Sequence, residues 1–428
     1  MIFCKKAGWG MALLFLCLIF GTGRTQKIEA AVQNVPESLE EESRLDTVGT
    51  DQETEREAVR EKKGQQEKEA GDTETDQAAA AQDELLAELD FDAIQQEVDS
   101  LLSSQQFSFA GTVRSLLQDG DPFRTFRAGN AVLSCAKTAF LAQKGLMKEL
   151  FLLVLAGAVL GSFSSLFEGK QVRDASFYMV YLLALALILK NFQSSGENLK
   201  AVITSLVAFM RILTPSYYLA AAAAGGASSA VMFYQMLLLV ILAVEKLLLA
   251  LVLPMIHIYL LIALVNDLSG EEILSHMTEL LETCVNGLLK SSLGVLVGMQ
   301  MIRNLIAPAL DSLRQMALWR TAGMIPGIGN AVNAVTELVA GSAVLIRNCF
   351  GVTAMLVLLA AGMVPAVQLL VSGLSFRLLA AAAQPVSDKR IAGCLAAAGK
   401  GYAMLLRLLL TVEVLFLLTI AILAGTFS

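Results

Sequence analysis

The side chains able to do chemistry in this 428-residue chain are few: two histidines, six cysteines and a handful of charged residues inside apolar runs. His257 lies in an apolar run and His276 on an amphipathic stretch, and neither has a second metal ligand at helical spacing of the HExxH kind. Cys4, Cys17, Cys135, Cys284, Cys349 and Cys394 are scattered, with no CxxC pair, and read as small apolar residues in helices. Cys17 follows Phe15-Leu16, which are larger than the small residues a lipidation site requires. Gly399-Lys400-Gly401 is a lone lysine among glycines rather than a phosphate loop, and Gly341-Ser342-Ala343 has no accompanying base for a nucleophile elbow. The expectation is a protein that is not an enzyme and has no cofactor or metal.

What remains is Glu245, Lys246, His257, Glu337, Arg347, Asn348, Arg407 and Glu413, polar residues embedded in apolar sequence. Each costs a few kcal/mol at mid-membrane, so each needs a reason to be there. They serve as interface positions or internal ion pairs, or else they line a pore.

The elements around them are those of a membrane protein. Apolar residues make up 55% of the chain and the mean hydropathy is +0.62, too apolar for a soluble fold of this size. The polar residues concentrate near the N-terminus. Val32 to Gln82 holds fifteen Asp/Glu and six Lys/Arg, a net of −9 against −7 for the whole chain, so everything else sums to +2. The acidic pI of 5.1 therefore describes that tail, and no basic surface suggests nucleic acid.

Lys5-Lys6, the apolar run Gly8 to Phe20 and Gly21-Thr22-Gly23 form a secretory signal over residues 1–23, with an uncleaved first span as the alternative. Residues 24–82 are then an acidic, disordered tail outside the cytoplasm, with too little apolar surface to fold alone. Residues 83–148 are an amphipathic helical region. Ala87, Phe91, Ile94, Val98 and Leu101 recur at steps of three and four, mostly opposite Glu84, Glu88, Asp92 and Asp99, a stripe suited to packing on the protein's own body, with partner binding as the alternative. Phe107 to Lys148 is a mildly basic stretch suited to the membrane surface.

Residues 149–428 are the multi-span domain. Spans are expected at Leu150–Phe167 and Ala175–Leu189, the latter ending at Lys190. An amphipathic Gly196–Met210 then meets a break at Pro215 and the small-residue run ending at Gly225-Gly226. Ala230 to Val265 would make a helix about 54 Å long, well beyond a hydrocarbon core of about 30 Å. Glu245-Lys246 near its middle is therefore read as a tight turn between two spans, with one long bent helix as the alternative. Ser269 and Glu272 form a capping box for a helix to about Leu289, which Leu293 to Ile302 extends. Pro326-Gly327-Ile328-Gly329 breaks the chain again. A small-residue helix through Gly341, a span from Phe350 to Leu374 containing Pro365, and a last span from Tyr402 to Gly425 follow. The fold class expected is all-α: a polytopic membrane protein of about seven apolar helices. Lys and Arg flank both sides of most spans, so charge does not orient the domain.

One spacing suggests an internal duplication over 196–302 and 311–424. Pro215 and Pro254 are 39 residues apart, as are Pro326 and Pro365, within a similar order of amphipathic helix, break and apolar helix. Duplicated halves with broken helices at their centre are a transporter architecture. Pro215, Gly225, Gly226, Pro326, Gly327, Gly329 and Gly341 are then the hinge or pore candidates.

The C-terminal third carries a resemblance. Ile325-Pro326-Gly-Ile-Gly329, then Gly341-Ser342-Ala-Val-Leu345-Ile346-Arg347-Asn348, Gly351, Pro365 and Gln384-Pro385-Val-Ser-Asp388-Lys-Arg390-Ile391, in that order, resemble the stage III sporulation protein AE family of endospore-forming bacteria. The resemblance covers roughly Leu150 to Ser428; the acidic tail is outside it. It implies a place in the mother-cell membrane around the forespore, in a secretion-like apparatus joining the two compartments. The implied companions are a secretion-type ATPase, ring-forming proteins and a forespore-side membrane protein, with a YidC-like insertase for assembly. No catalytic residues come with it. The resulting expectation is a channel or permease component in contact with lipid and open to homo-oligomerisation. A non-conducting scaffold and an independent secondary transporter are the rivals, the latter disfavoured by the scarcity of intramembrane acids.

Overall fold

The computed structural model describes residues 90–102, 107–119, 128–164, 170–221, 239–269, 274–322, 329–385 and 387–425, of which 118–119, 128–135, 160–164, 170–174, 176, 220–221, 300, 303–322, 329–340 and 422–425 are described by their backbone alone. Within these, the regular elements are helices. They are α1 (Phe91–Leu101), α2 (Phe109–Asp119), α3 (Ala128–Ser164), α4 (Lys170–Ala221), α5 (Leu239–Ser269), α6 (Ser275–Ala322), α7 (Gly329–Ala383) and α8 (Lys389–Gly425). Five are long and apolar enough to cross a membrane: Phe177–Leu219, Leu239–Ser269, Ser275–Met299, Gly341–Ala383 and Lys389–Ala421. The protein is an all-α membrane protein.

Where about seven apolar helices are expected, these five appear among the described residues: neighbouring segments fuse, and the expected Leu150–Phe167 span runs past the described end of α3. Lys190 and Pro215 both lie inside α4, which runs unbroken through the Gly196–Met210 segment. Pro215 removes one backbone donor, but lipid offers no partner to a broken helix, so the helix persists. The Thr214 hydroxyl beside it donates back to the Met210 carbonyl. Glu245-Lys246 does not form a turn: it lies within continuous α5, six residues and about 9 Å from Leu239. The deformation comes instead at Leu248–Val252, a π turn just before Pro254. A proline ring clashes with the carbonyl four residues back, and widening the preceding turn relieves it. Ser269 is the last residue of α5, and its hydroxyl donates to the Asn266 carbonyl at 2.8 Å; Glu272, its partner in the expected capping box, lies outside the described residues. The Asn266 side chain meanwhile accepts from Leu274 N–H, leading the chain into α6. The Gly341 and Phe350–Leu374 segments likewise form one helix, α7, with Pro365 inside it.

Helix α8 is the axis of the bundle. Its most apolar window is 67% buried, against 22% for that of α6. Asn191 meets Tyr402 while Ile203 and Val207 approach Val412 and Leu415, so α4 runs parallel to α8. Asp267 meets Gly393 while Leu260 meets Gly401, so α5 runs antiparallel. The α7–α8 pair is also antiparallel, and it crosses where a Cβ on Gly399 would stand 3.2 Å from the Gly373 carbonyl oxygen. Small residues at such a crossing let backbones approach, which is how helices associate where lipid removes the hydrophobic drive.

At one end a small hairpin sits on the bundle. Asp90 caps α1 by accepting from Ala93 N–H at 3.1 Å, and Ile94 and Val98 are buried on one stripe. The Gln95 amide clamps the link to α2, donating to the Phe107 carbonyl at 2.7 Å and accepting from Phe109 N–H at 2.8 Å. Phe91 and Phe109 then pack edge-on against Phe350 of α7, at 6.0 and 4.9 Å between ring centres.

Candidate functional site

The polar side chains of the spans gather around α8 at three levels. At the first, α4, α5 and α8 meet at Tyr402, which is fully buried. Its hydroxyl accepts from the Asn191 amide at 2.6 Å and lies 3.2 Å from the Ser195 hydroxyl, which itself donates to the Asn191 carbonyl. Phe192 packs edge-on against both Tyr402 and His257, and Phe376 stacks on the Tyr402 ring. His257 is held by a ring-nitrogen contact to the Leu253 carbonyl at 2.9 Å. Its other edge lies over Gly196, where an added Cβ would stand 2.5 Å from Nε2. Asn191, Ser195 and Gly196 share α4 at steps of one to five, so one helix supplies both the donors and the gap.

The second level is a seam between α6 and α8. Lys400 pairs with Glu282 at 2.5 Å and lies over the Tyr259 ring, and Arg407 donates to the Asn286 side chain at 3.1 Å. Glu282 and Asn286 are four apart and Lys400 and Arg407 seven apart, so each pair lies on one helix face. Both helices run the same way here. Arg407 is exposed despite lying near the middle of the Lys389–Ala421 span.

The third level lies toward the opposite end of α8. Glu245 pairs with Arg211 of α4 at 3.1 Å and lines a small apolar cleft with Ile203, Val207, Val412 and Phe416. Its volume, about 10 Å³, leaves no room for anything larger than a water. Glu413 is 2% exposed, its carboxyl seated against Gly362 of α7. Arg347 is fully buried beside Tyr217.

The sequence candidates thus divide. Glu245 and Glu413 share the cleft end of α8; Arg347 lies in the core of α7, Asn348 is half-buried beside it, and Lys246 is exposed. Gly341 is exposed in α7 with open space around it. Gly329 and Glu337 lie in the backbone-only part of α7. Gly225, Gly226, Pro326 and Gly327 lie outside the described residues, as do the signal segment and the acidic tail. Asn191, Ser195, Glu282, Asn286, Arg211 and Tyr402 were not singled out by sequence; each is ordinary at its own position, and only its partner on another helix marks it. Among the described residues no group of three or more His, Cys, Asp or Glu side chains gathers to hold a metal.

Residues 107–426, spanning α2 to α8, match the family model described as Stage III sporulation protein AE. The chain belongs to the stage III sporulation protein AE family. Within that family, the Stage III sporulation protein AE of Bacillus subtilis (strain 168) is 21% identical over 291 residues, which cover 67% of this chain and 73% of the relative. No solved structure matches the chain. Membership makes this a sporulation protein of the membrane, with a matched region that begins after α1 and leaves the acidic tail outside.

Proposed function

We propose that this stage III sporulation protein AE family member is a channel or permease component of a sporulation-specific secretion-like apparatus linking mother cell and forespore. It lies in the mother-cell membrane around the forespore, with the tail outside the cytoplasm after a signal segment. Its partners are a secretion-type ATPase, ring-forming proteins and further copies of itself, and a YidC-like insertase assists its assembly. The observation that carries this reading is the α6–α8 seam, where Lys400, Glu282, Arg407 and Asn286 hold charge and hydrogen bonds inside spans. Charged side chains at that depth face protein or a water-filled path, because lipid solvates them poorly. The cleft of about 10 Å³ at Glu245 is too narrow for a solute, so passage needs the helices to part or several copies to surround a path.

Reconstitution of the full chain into liposomes tests this. Conductance or solute flux above that of empty liposomes, reduced in Arg407→Leu, supports the channel. Protein that inserts fully yet shows no flux, alone or with its ATPase and ring partners, supports a non-conducting scaffold.

A further inference from the structure

We propose that Glu413 is a proton-binding site within the last span, seated in a slot that Gly362 opens between α7 and α8. Glu413 is 2% exposed, and its Oε1 has no hydrogen-bond partner. A Cβ on Gly362 would overlap the Glu413 carboxyl itself, so the carboxyl occupies the space that any other residue at 362 would fill. The slot fits an acid, and among the described residues no cation is paired with its carboxyl.

Among the described residues, the neighbouring charged groups lie far from it or are held elsewhere. On α7, Arg347 and Arg377 are each fifteen residues from Gly362, about 22 Å along the helix. On α8, Arg407 is bonded to Asn286. From α4 and α5, Arg211 and Glu245 pair with each other at 3.1 Å. On α6, the register set by Lys400–Glu282 and Arg407–Asn286 brings Lys290 toward this level, but Lys290 is exposed. An ionised carboxylate buried without a partner is too costly to persist, and such groups neutralise by taking up a proton. The packed α7–α8 arrangement therefore goes with the neutral acid. Losing that proton to water requires the slot to open, which ties the α7–α8 contact to proton release and uptake. The chemistry is simple: a carboxylate and one proton give a carboxylic acid, with no other reactant.

The inference does not depend on the channel reading, and its test does not measure transport. The full chain in liposomes is treated with a hydrophobic carbodiimide, which attacks protonated carboxyls shielded from water, and separately with a water-soluble carbodiimide. Adducts on the peptide containing Glu413 are read by mass spectrometry. The expected result is labelling of Glu413 by the hydrophobic reagent at near-neutral pH, at least tenfold above the water-soluble one, declining as pH rises. Glu413→Gln, a neutral match in shape, should insert and melt like the parent in detergent and lose the adduct. Gly362→Ala, which fills the slot, should let the water-soluble reagent reach Glu413. Equal labelling by both reagents, no labelling of Glu413 between pH 5 and 9, or marked destabilisation by Glu413→Gln would overturn the proposal.

Discussion

The Tyr402 hydroxyl accepts a 2.6 Å hydrogen bond from the Asn191 amide, joining the last helix to a residue 211 positions earlier. With Ser195 at 3.2 Å, Phe192 edge-on between Tyr402 and His257, and Phe376 stacked on the Tyr402 ring, this contact ties α4, α5, α7 and α8 at one level.

Tyr402→Phe keeps the ring stacking and deletes the acceptor. It leaves the Asn191 amide without its partner, at an expected cost of about 1–3 kcal/mol. Thermal unfolding in detergent should show a lower Tm than the parent. The Asn191→Ala/Tyr402→Phe double variant should lose less than the sum of the singles, because the two share one bond. Additive losses would mean that the contact contributes nothing.

Gly196→Ala places a methyl group against the His257 ring, which the Leu253 carbonyl and Phe192 hold in position. Overpacking of this kind costs about 1–3 kcal/mol. Shrinking the ring should relieve it, so His257→Ala combined with Gly196→Ala should melt above the sum of the two losses. A Gly196→Ala variant as stable as the parent would show that the imidazole has room to move.

These contacts show where sequence reasoning works in a membrane body and where it stops. Class is legible, because apolar runs of span length dominate the composition, and the Ile94/Val98 stripe reads as a buried helix face since its spacing is local. Buried Glu413 and Arg347 stand out by contrast with their neighbours. Helix length is not legible at Pro215 or Lys190, whose local signals for breaking a helix are outweighed by the need of the backbone to bond itself inside lipid. Glu245 suggests a turn only while Arg211, 34 residues away, is unseen as its partner. Tyr402, Asn191 and Ser195 are unremarkable singly, and nothing short of the fold brings them together.

The acidic tail offers a physiological test. Val32 to Gln82 carries a net charge of −9 and lies outside the region matched to the family. Removing it should leave heat-resistant spore counts within about twofold of the parent, since such a composition builds no core of its own. A block in sporulation at unchanged protein level would assign the tail a required role.

The central claim is that the α6–α8 seam faces water within the membrane. In a variant lacking the six native cysteines, single cysteines are placed at Glu282, Asn286 and Arg407, and at Leu261 and Leu370 as exposed apolar controls on α5 and α7. Sealed membranes from sporulating cells are treated with a membrane-impermeant thiol reagent. The seam positions should react and the controls should not, while all five react once detergent dissolves the membrane. Protection of Glu282, Asn286 and Arg407 in membranes, with full reactivity in detergent, would contradict a water-lined seam and remove the basis for a conduit there.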